Sequence, residues 1–172
     1  MNLQKKLYQS PIGPLTIIAN DKAVTGVHFG DLTEISFLQK VVCNNVYQTE
    51  NSCDEAIQSL LSETIHQLTQ YFAGQRKEFD LPLEPNGTDF QKRVWANLLK
   101  IPYGETRSYR QIAEMSNCPK GFRAVGLANN RNPIVIIIPC HRVIGSDGSL
   151  TGFGGGMGSK EFLLGLEGVI LR

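Results

Sequence analysis

The sequence has little sulfur, little histidine and no long greasy run. Four cysteines, Cys43, Cys53, Cys118 and Cys140, lie far apart with no CxxC pair. That spacing excludes a zinc-ribbon framework and a dense disulfide scaffold, so reduced thiols are expected. No apolar stretch approaches the roughly 18 residues of a membrane-spanning helix. The opening "MNLQKKLYQS" lacks the basic, apolar and small-residue order of a signal peptide. These absences point to a soluble, cytoplasmic protein with no membrane partner. Repeats and low-complexity tracts are missing too, and the glycine-rich segment "GSDGSLTGFGGGMGS" has no phosphate-loop Lys-Ser or Lys-Thr ending.

What is present is a division of charge. The 172 residues carry a net charge of only +1. Residues 1–85, however, hold 6 basic and 10 acidic side chains, a net of -4, and residues 86–172 hold 11 and 6, a net of +5. The basic half is the candidate for a polyanionic partner. Residues 74–87, "GQRKEFDLPLEPNG", bring charge, two prolines and two glycines without periodicity. They read as a linker between two domains, 1–85 and 86–172.

In the first half, residues 15–19 and 23–29 flank the polar Asn20-Asp21-Lys22 and predict an antiparallel hairpin. Ile57, Leu60, Leu61, Ile65, Leu68, Tyr71 and Phe72 recur at helical spacing before Gly74, predicting one amphipathic helix. The second half opens on Thr88-Asp89-Phe90-Gln91, a capping-box pattern, with Val94, Leu98 and Ile101 continuing the apolar stripe. Residues 108–117 and 122–131 predict two short helices around the turn "CPKG", a helix-turn-helix arrangement. Such pairs also occur in many proteins that never touch nucleic acid. Here, though, eight basic residues against Glu105 and Glu114 lie between Lys92 and Arg131, and small Ala124, Gly126 and Ala128 accompany Arg123 and Arg131. The fold class expected is α+β: a small N-terminal antiparallel sheet with a helix, then a mainly helical C-terminal domain.

The segment "IVIIIPCHRVIG" reads as a buried β-branched strand ended by Pro139, with Cys140 emerging beside His141 and Arg142, groups that favour a thiolate. A buried structural cysteine is the alternative. Successive strand side chains point oppositely, so only a turn would bring Cys140 and His141 to one site. Residues 159–168, "SKEFLLGLEG", predict a helix with Ser159 as N-cap and Gly168 beyond its end. Glu167 then sits at the negative end of the helix dipole, a conflict of about 0.3–1 kcal/mol. A Cys-His-Glu relay is one reading of that conflict, and a surface Glu167 without a role is the other. The glycine-rich segment suits close approach of backbone to a flat ligand, or a mobile loop.

"NPIVIIIPCHRVIG", "GFGGG" and "KEFLLGLEG", with "VWANLLKIPYGETRSY" and "FRAVGLANNRNP" upstream, closely resemble the O6-alkylguanine-DNA alkyltransferases. The resemblance covers nearly all of residues 88–168, and "SPIGPL" with its hairpin is similar to the family's N-terminal domain. It implies a ribonuclease-H-like first domain and a winged-helix-like, DNA-binding second one. By this resemblance Cys140 would accept the alkyl group, His141 would be its base through a water, Glu167 would orient His141, and Asn132 would brace the turn. Tyr109 would contact the lesion base, the carbonyls of Cys140 and Val143 would accept from the guanine amino group, and Phe153, Gly154 and Gly155 would cover the base. Arg123 would enter the stack as the base leaves, with Ala124, Gly126, Arg131 and Ser108 also on DNA. Departures from the common pattern are Phe153-Gly154 where Tyr-Ser or Tyr-Ala is usual, and Leu166 where His is usual.

The activity so implied is irreversible transfer of an alkyl group from O6-alkylguanine, or O4-alkylthymine, in duplex DNA to Cys140, once per chain. The base would first be flipped out of the helix. A monomer is expected, with no cofactor and no metal, since His28, His66, Cys43 and Cys53 do not match the zinc spacing of some relatives. Two rivals are a non-catalytic helix-turn-helix damage binder, against which the presence of Cys140 argues, and a Cys-His hydrolase, in which water would restore the thiol.

Overall fold

Chain direction reverses first at Pro11-Ile12, and Gly13, at φ +100°, supplies the left-handed residue that lets β1 (Gln4–Ser10) fold back on β2 (Gly13–Ala19). A second reversal uses the Asn20 side chain, whose Oδ1 accepts from the amides of Lys22 (2.8 Å) and Ala23 (2.7 Å), and leads into β3 (Val24–Phe29). The computed structural model describes residues 2–32 and 54–170. Cys43 and Cys53, discussed above as unmatched metal ligands, lie outside the described residues. The described chain divides into two compact units, Met1–Glu84 and Pro85–Arg172, and its fold class is α+β.

In the first unit the sheet is antiparallel in the order β1-β2-β3, one strand larger than the expected hairpin. β2 is central, and Leu15 to Ala19 are all buried along it. Against the sheet packs α1 (Glu55–Phe72), capped by Asp54 and burying Ile57, Leu61, Leu68 and Tyr71. Each such side chain contributes about 1.5–3 kcal/mol by leaving water. Two positions on the buried face are polar, Thr64 and Gln67, and Gln67 holds the backbone of Asp80 by both its amide nitrogen and its oxygen.

That contact corrects the linker reading of residues 74–87. Val24 donates to the carbonyl of Pro82 (2.8 Å) and accepts from the amide of Glu84 (2.9 Å), and Asn20 Nδ2 donates to the Glu84 carboxylate. Residues 82–84 are therefore bonded to β3 at Val24, and Asp80 to α1. Edge pairing satisfies backbone groups whatever the side-chain pattern, which is why no periodicity announced it.

The second unit is mainly helical. Its first helix, α2 (Asp89–Leu98), begins in the expected capping box between Thr88 and Gln91. A second capping box, Ser108 with Gln111, starts α3 (Tyr109–Met115), and α4 (Phe122–Asn130) follows the turn. α2, α3 and α4 pack mutually around Trp95, Leu98, Ile112 and Val125, with Trp95 Nε1 donating to the carbonyl of Ala128 at 2.9 Å. A Cβ at Gly121 would meet Cys118 Sγ, so a larger residue in the turn would displace that side chain. Two-residue strands β4 (Arg107–Ser108) and β5 (Val143–Ile144) pair in parallel, tying the start of α3 to the segment after Cys140. α5 (Met157–Leu166) completes the unit.

Two sequence expectations fail here. Residues 134–138 are buried, but they form a tight turn instead of a strand: Ile138 N donates back to Ile134 O at 3.0 Å, and Ile136 has φ +73°. A β-branched run marks burial more surely than it marks extension, because side-chain apolarity says nothing about where the backbone bonds go. Ser159 is also not the N-cap, since α5 starts at Met157 behind Gly156, whose φ is +83°. The cap there is a glycine turn without a side-chain acceptor, and a Ser-Lys-Glu pattern inside the first turn imitates a cap.

Candidate active site

The turn at 134–138 delivers the chain to a single 3-10 turn, Cys140–Arg142, whose three side chains are all buried. Asn132 closes that approach from both ends, accepting from Ile134 N (3.0 Å) and donating Nδ2 to Ile138 O (2.7 Å). Cys140 is only 3% exposed. Burial pushes its thiol above the ordinary range, opposed by a hydrogen bond from Asn132 and the charge of Lys160. This corrects the expectation that neighbouring His141 and Arg142 favour the thiolate: burial keeps the thiol protonated at rest, and Arg142 is turned onto another partner.

That partner is Glu167. Arg142 Nε lies 2.8 Å from Glu167 Oε2 and Nη2 lies 3.0 Å from Oε1, a bidentate pair, while Nη1 donates to the carbonyl of Ile101. The Gly104 amide donates to Glu167 Oε2 at 3.2 Å, and Glu167 Oε1 lies 2.8 Å from His141 Nε2. Burial alone would raise the Glu167 pKa, but the hydrogen bonds and charges of His141 and Arg142 outweigh it and bring it down to about 2. The unfavourable helix-end position is thus offset by turning the carboxylate inward onto Arg142, His141 and the Gly104 amide.

An ionised carboxylate can only accept, so His141 Nε2 carries a proton. Burial holds the imidazole pKa below its ordinary 6.5, despite the opposing pull of Glu167, so the ring is neutral at pH 7. The neutral ring then presents Nδ1 as a lone pair. Nδ1 is buried and has no hydrogen-bond partner.

The remaining expected residues divide between this buried cluster and a cleft of about 790 Å³ lined by Tyr109, Arg123, Gly126, Phe153 and Gly154, together with Phe122, Leu127, Asn130, Thr151 and Gly152. Gly155 is half-buried and outside that lining, and Ala124 and Arg131 are exposed on and just after α4. Ser108 spends its hydroxyl on capping α3, accepting from Gln111 N at 3.2 Å. Gly126 faces the Tyr109 ring at ordinary contact distance, so a methyl group there would meet the ring without collision. Val143 is buried beside Cys140, and its amide, with Asn129 Nδ2 (3.3 Å), already donates to the Cys140 carbonyl. Cys140, His141, Asn132 and Glu167 do not line the cleft.

Sequence reasoning missed four contributors. Arg142 and Gly104 hold Glu167, and Tyr103 stacks its ring beneath Arg142 (5.9 Å) while donating to the Leu166 carbonyl. Lys160 is fully buried and donates Nζ to the carbonyls of Val143 (2.6 Å) and Thr151 (3.1 Å). Only Arg142 carried a signal, a guanidinium inside an apolar segment. Among the described residues no group of three or more His, Cys, Asp or Glu could hold a metal ion, and no helix is long and apolar enough to cross a membrane.

Known proteins bear on this arrangement directly. Residues 89–169 match the family model for the 6-O-methylguanine DNA methyltransferase DNA-binding domain, and residues 3–85 match that for the ribonuclease-like domain of the same proteins. A methylated-DNA–protein-cysteine methyltransferase of Methanosarcina barkeri is 49% identical over 168 residues, covering 96% of this chain and 98% of the relative. One of Mycobacterium bovis is 48% identical over 158 residues, covering 92% and 88%. Among solved structures, the Mycobacterium tuberculosis O6-methylguanine methyltransferase is similar at a TM-score of 0.79 and 44% identity, covering 96% of this chain and 92% of that one. The M. tuberculosis OGT in complex with DNA is similar at 0.77 and 44%, covering 97% and 92%. With both units matched in order and the thiol, imidazole and carboxylate gathered at one buried turn, the chain belongs to the 6-O-methylguanine DNA methyltransferase family.

Proposed function

We propose that this protein repairs DNA by moving the alkyl group of O6-alkylguanine onto its own Cys140, once per chain. The observation that carries the reading is the His141 ring, kept neutral by burial and turned by the ionised Glu167 so that Nδ1 presents a free lone pair, adjacent in the chain to a protonated thiol. Through an intervening water, His141 takes the thiol proton as the substrate arrives. The thiolate attacks the alkyl carbon, a C–S bond forms, and the C–O6 bond breaks with its electron pair leaving on the guanine. The Tyr109 hydroxyl or a loop amide stabilises that developing charge. A thioether has no route back to a thiol here, so the protein ends as its own product. O4-alkylthymine presents the same bond and is a candidate second substrate.

O6 lies inside the duplex, so the base must leave the stack, at a cost of a few kcal/mol. Arg123, exposed on α4 at the cleft, fills the space it vacates. Phe153, Gly154 and Gly155 cover the base, Val143 offers its carbonyl to the guanine amino group, and Ala124, Gly126, Arg131 and Ser108 lie along the DNA. Asn132 fixes the turn that presents the thiol. Residues 86–172 form the acceptor domain, residues 1–85 the N-terminal α/β domain, and a monomer in the cytoplasm suffices because one chain carries every group invoked.

Duplex DNA with a labelled O6-methyl group tests this. One label per chain on Cys140, and none on Cys140→Ala, is expected. Repeated turnover, or label on the alanine variant, would sink the proposal and favour a hydrolytic thiol.

A further inference from the structure

Among the described residues only two buried side-chain atoms able to hydrogen-bond have no partner, His141 Nδ1 and Asn129 Oδ1. Both belong to the acceptor turn and its support. Asn129 is 3% exposed near the end of α4, and its Nδ2 lies 3.3 Å from the carbonyl of Cys140, the peptide that leads into His141. A carbonyl can only accept, so that contact fixes the nitrogen end of the amide and makes the unpaired end an acceptor. His141 Nδ1 is an acceptor too, because Nε2 keeps its proton for the ionised Glu167. Two acceptors cannot bond each other. Glu167, Arg142 and Lys160 are the charged groups that act on Cys140 and His141, and none of them donates to either atom. Nor does the thiol bond Nδ1 directly, since successive side chains of a 3-10 turn diverge by about 120°.

We propose that Asn129 is a positioning residue for the proton transfer that activates Cys140: its Oδ1 and His141 Nδ1 share one water, and that water accepts from the thiol. The inference rests on the reading of Cys140 as the alkyl acceptor and names the group that holds the water in it. A water molecule has two O–H donors and an oxygen that accepts, which matches two orphaned acceptors and one thiol donor. Buried waters typically make about three such bonds. As the alkyl group arrives, the thiol proton passes to the water oxygen while one water proton passes to Nδ1. Cys140 is left as thiolate, His141 as imidazolium against Glu167, and the water is regenerated. Asn129 exchanges no proton. Its Oδ1 holds the second O–H, which leaves the first for Nδ1 and a lone pair for the thiol, and its Nδ2 anchors this arrangement to the backbone of Cys140 itself.

Single-turnover methyl transfer from O6-methylguanine in duplex DNA, at saturating DNA, should be timed across pH for the wild type and Asn129→Leu, which keeps the shape and removes the acceptor. Near neutral pH, where the thiol needs the relay, the variant should be slower by about tenfold, the effect of one hydrogen bond. That deficit should shrink as pH rises toward about 9.5, because hydroxide then takes the thiol proton without the relay. Lys160, which titrates at about 8, changes both proteins alike, so the ratio of rates is what is read. A merely structural asparagine would slow transfer by the same factor at every pH, and that result, or an unchanged rate, would overturn the proposal. A crystal structure of the wild type needs no variant and decides the matter should Asn129→Leu fail to fold. One ordered water within about 3.2 Å of both Asn129 Oδ1 and His141 Nδ1 is expected, and the lack of a shared water overturns the proposal. Absence of any transfer to wild-type Cys140 would instead overturn the acceptor reading and this proposal with it, whereas normal wild-type transfer with a pH-independent deficit overturns this proposal alone.

Discussion

His141 has two ring nitrogens and only one is engaged: Nε2 is bound to Glu167 and Nδ1 faces no donor. Replacing Glu167 by Gln removes the charge that fixes this tautomer and leaves Arg142 buried against a neutral amide. Methyl transfer should slow by about a hundredfold or more, the usual weight of a positioned base, as read in single-turnover assays. The same carboxylate governs acid stability. Its pKa is about 2 in the folded protein against an ordinary 4.5, so its stabilisation is complete above pH 4.5 and is lost as pH falls toward 2. His141, held below 6.5, acts in the same sense from pH 6.5 downward, because the unfolded chain takes up that proton more readily. Denaturation followed against pH should show the wild type losing stability through both windows. Glu167→Gln should start less stable but change less between 4.5 and 2. The thiol has the opposite sign: burial raises it above 9, so iodoacetamide should label Cys140 more slowly at pH 7.5 than the partly exposed Cys118, which peptide mass spectrometry can follow.

The turn at 134–138 and helix α4 do different work. In the turn, Asn132→Ala would strand the Ile134 amide in an apolar interior and leave the Ile138 carbonyl with the Cys140 amide as its donor. The expected loss is about 1–3 kcal/mol in chemical denaturation, the cost of one unpaired buried group. On α4, Arg123→Ala touches no internal contact and should leave stability unchanged, while slowing repair in duplex DNA more than reaction with the free modified base. Equal slowing on both substrates would remove Arg123 from the base-flipping step. The box Ser108–Gln111, which the sequence reading passed over, is a signal of the same local kind as Thr88–Gln91. The helices were legible in advance because periodic apolar spacing and the box Thr88–Gln91 are local signals. The turn was not, since five β-branched residues describe burial and leave the backbone path to tertiary contacts.

At the scale of the whole chain the charge is partitioned, with -4 on residues 1–85 and +5 on residues 86–172. DNA affinity should therefore fall steeply with salt, giving a straight log–log plot, and Arg123→Ala should reduce that slope by about 1 if the side chain neutralises one phosphate. Base choice adds little to such binding, so affinities for duplexes of different sequence should nearly coincide at any one salt concentration.

Composition, charge division and spacing determined that there would be two units, which helices would form, and that Cys140, His141 and Glu167 were the residues to watch. These are properties of short windows or of sums, and physical chemistry acts on them before any fold exists. Tertiary structure alone decided that Glu167 turns inward, that Arg142 serves the carboxylate instead of the thiol, that residues 82–84 bridge to Val24 of β3, and that Lys160 is buried between two carbonyls. These contacts join groups from 9 to 64 residues apart, as in Lys160 to Thr151 and Asn20 to Glu84, and the energy of a buried charge depends on partners that only the closed chain brings within 3 Å or so.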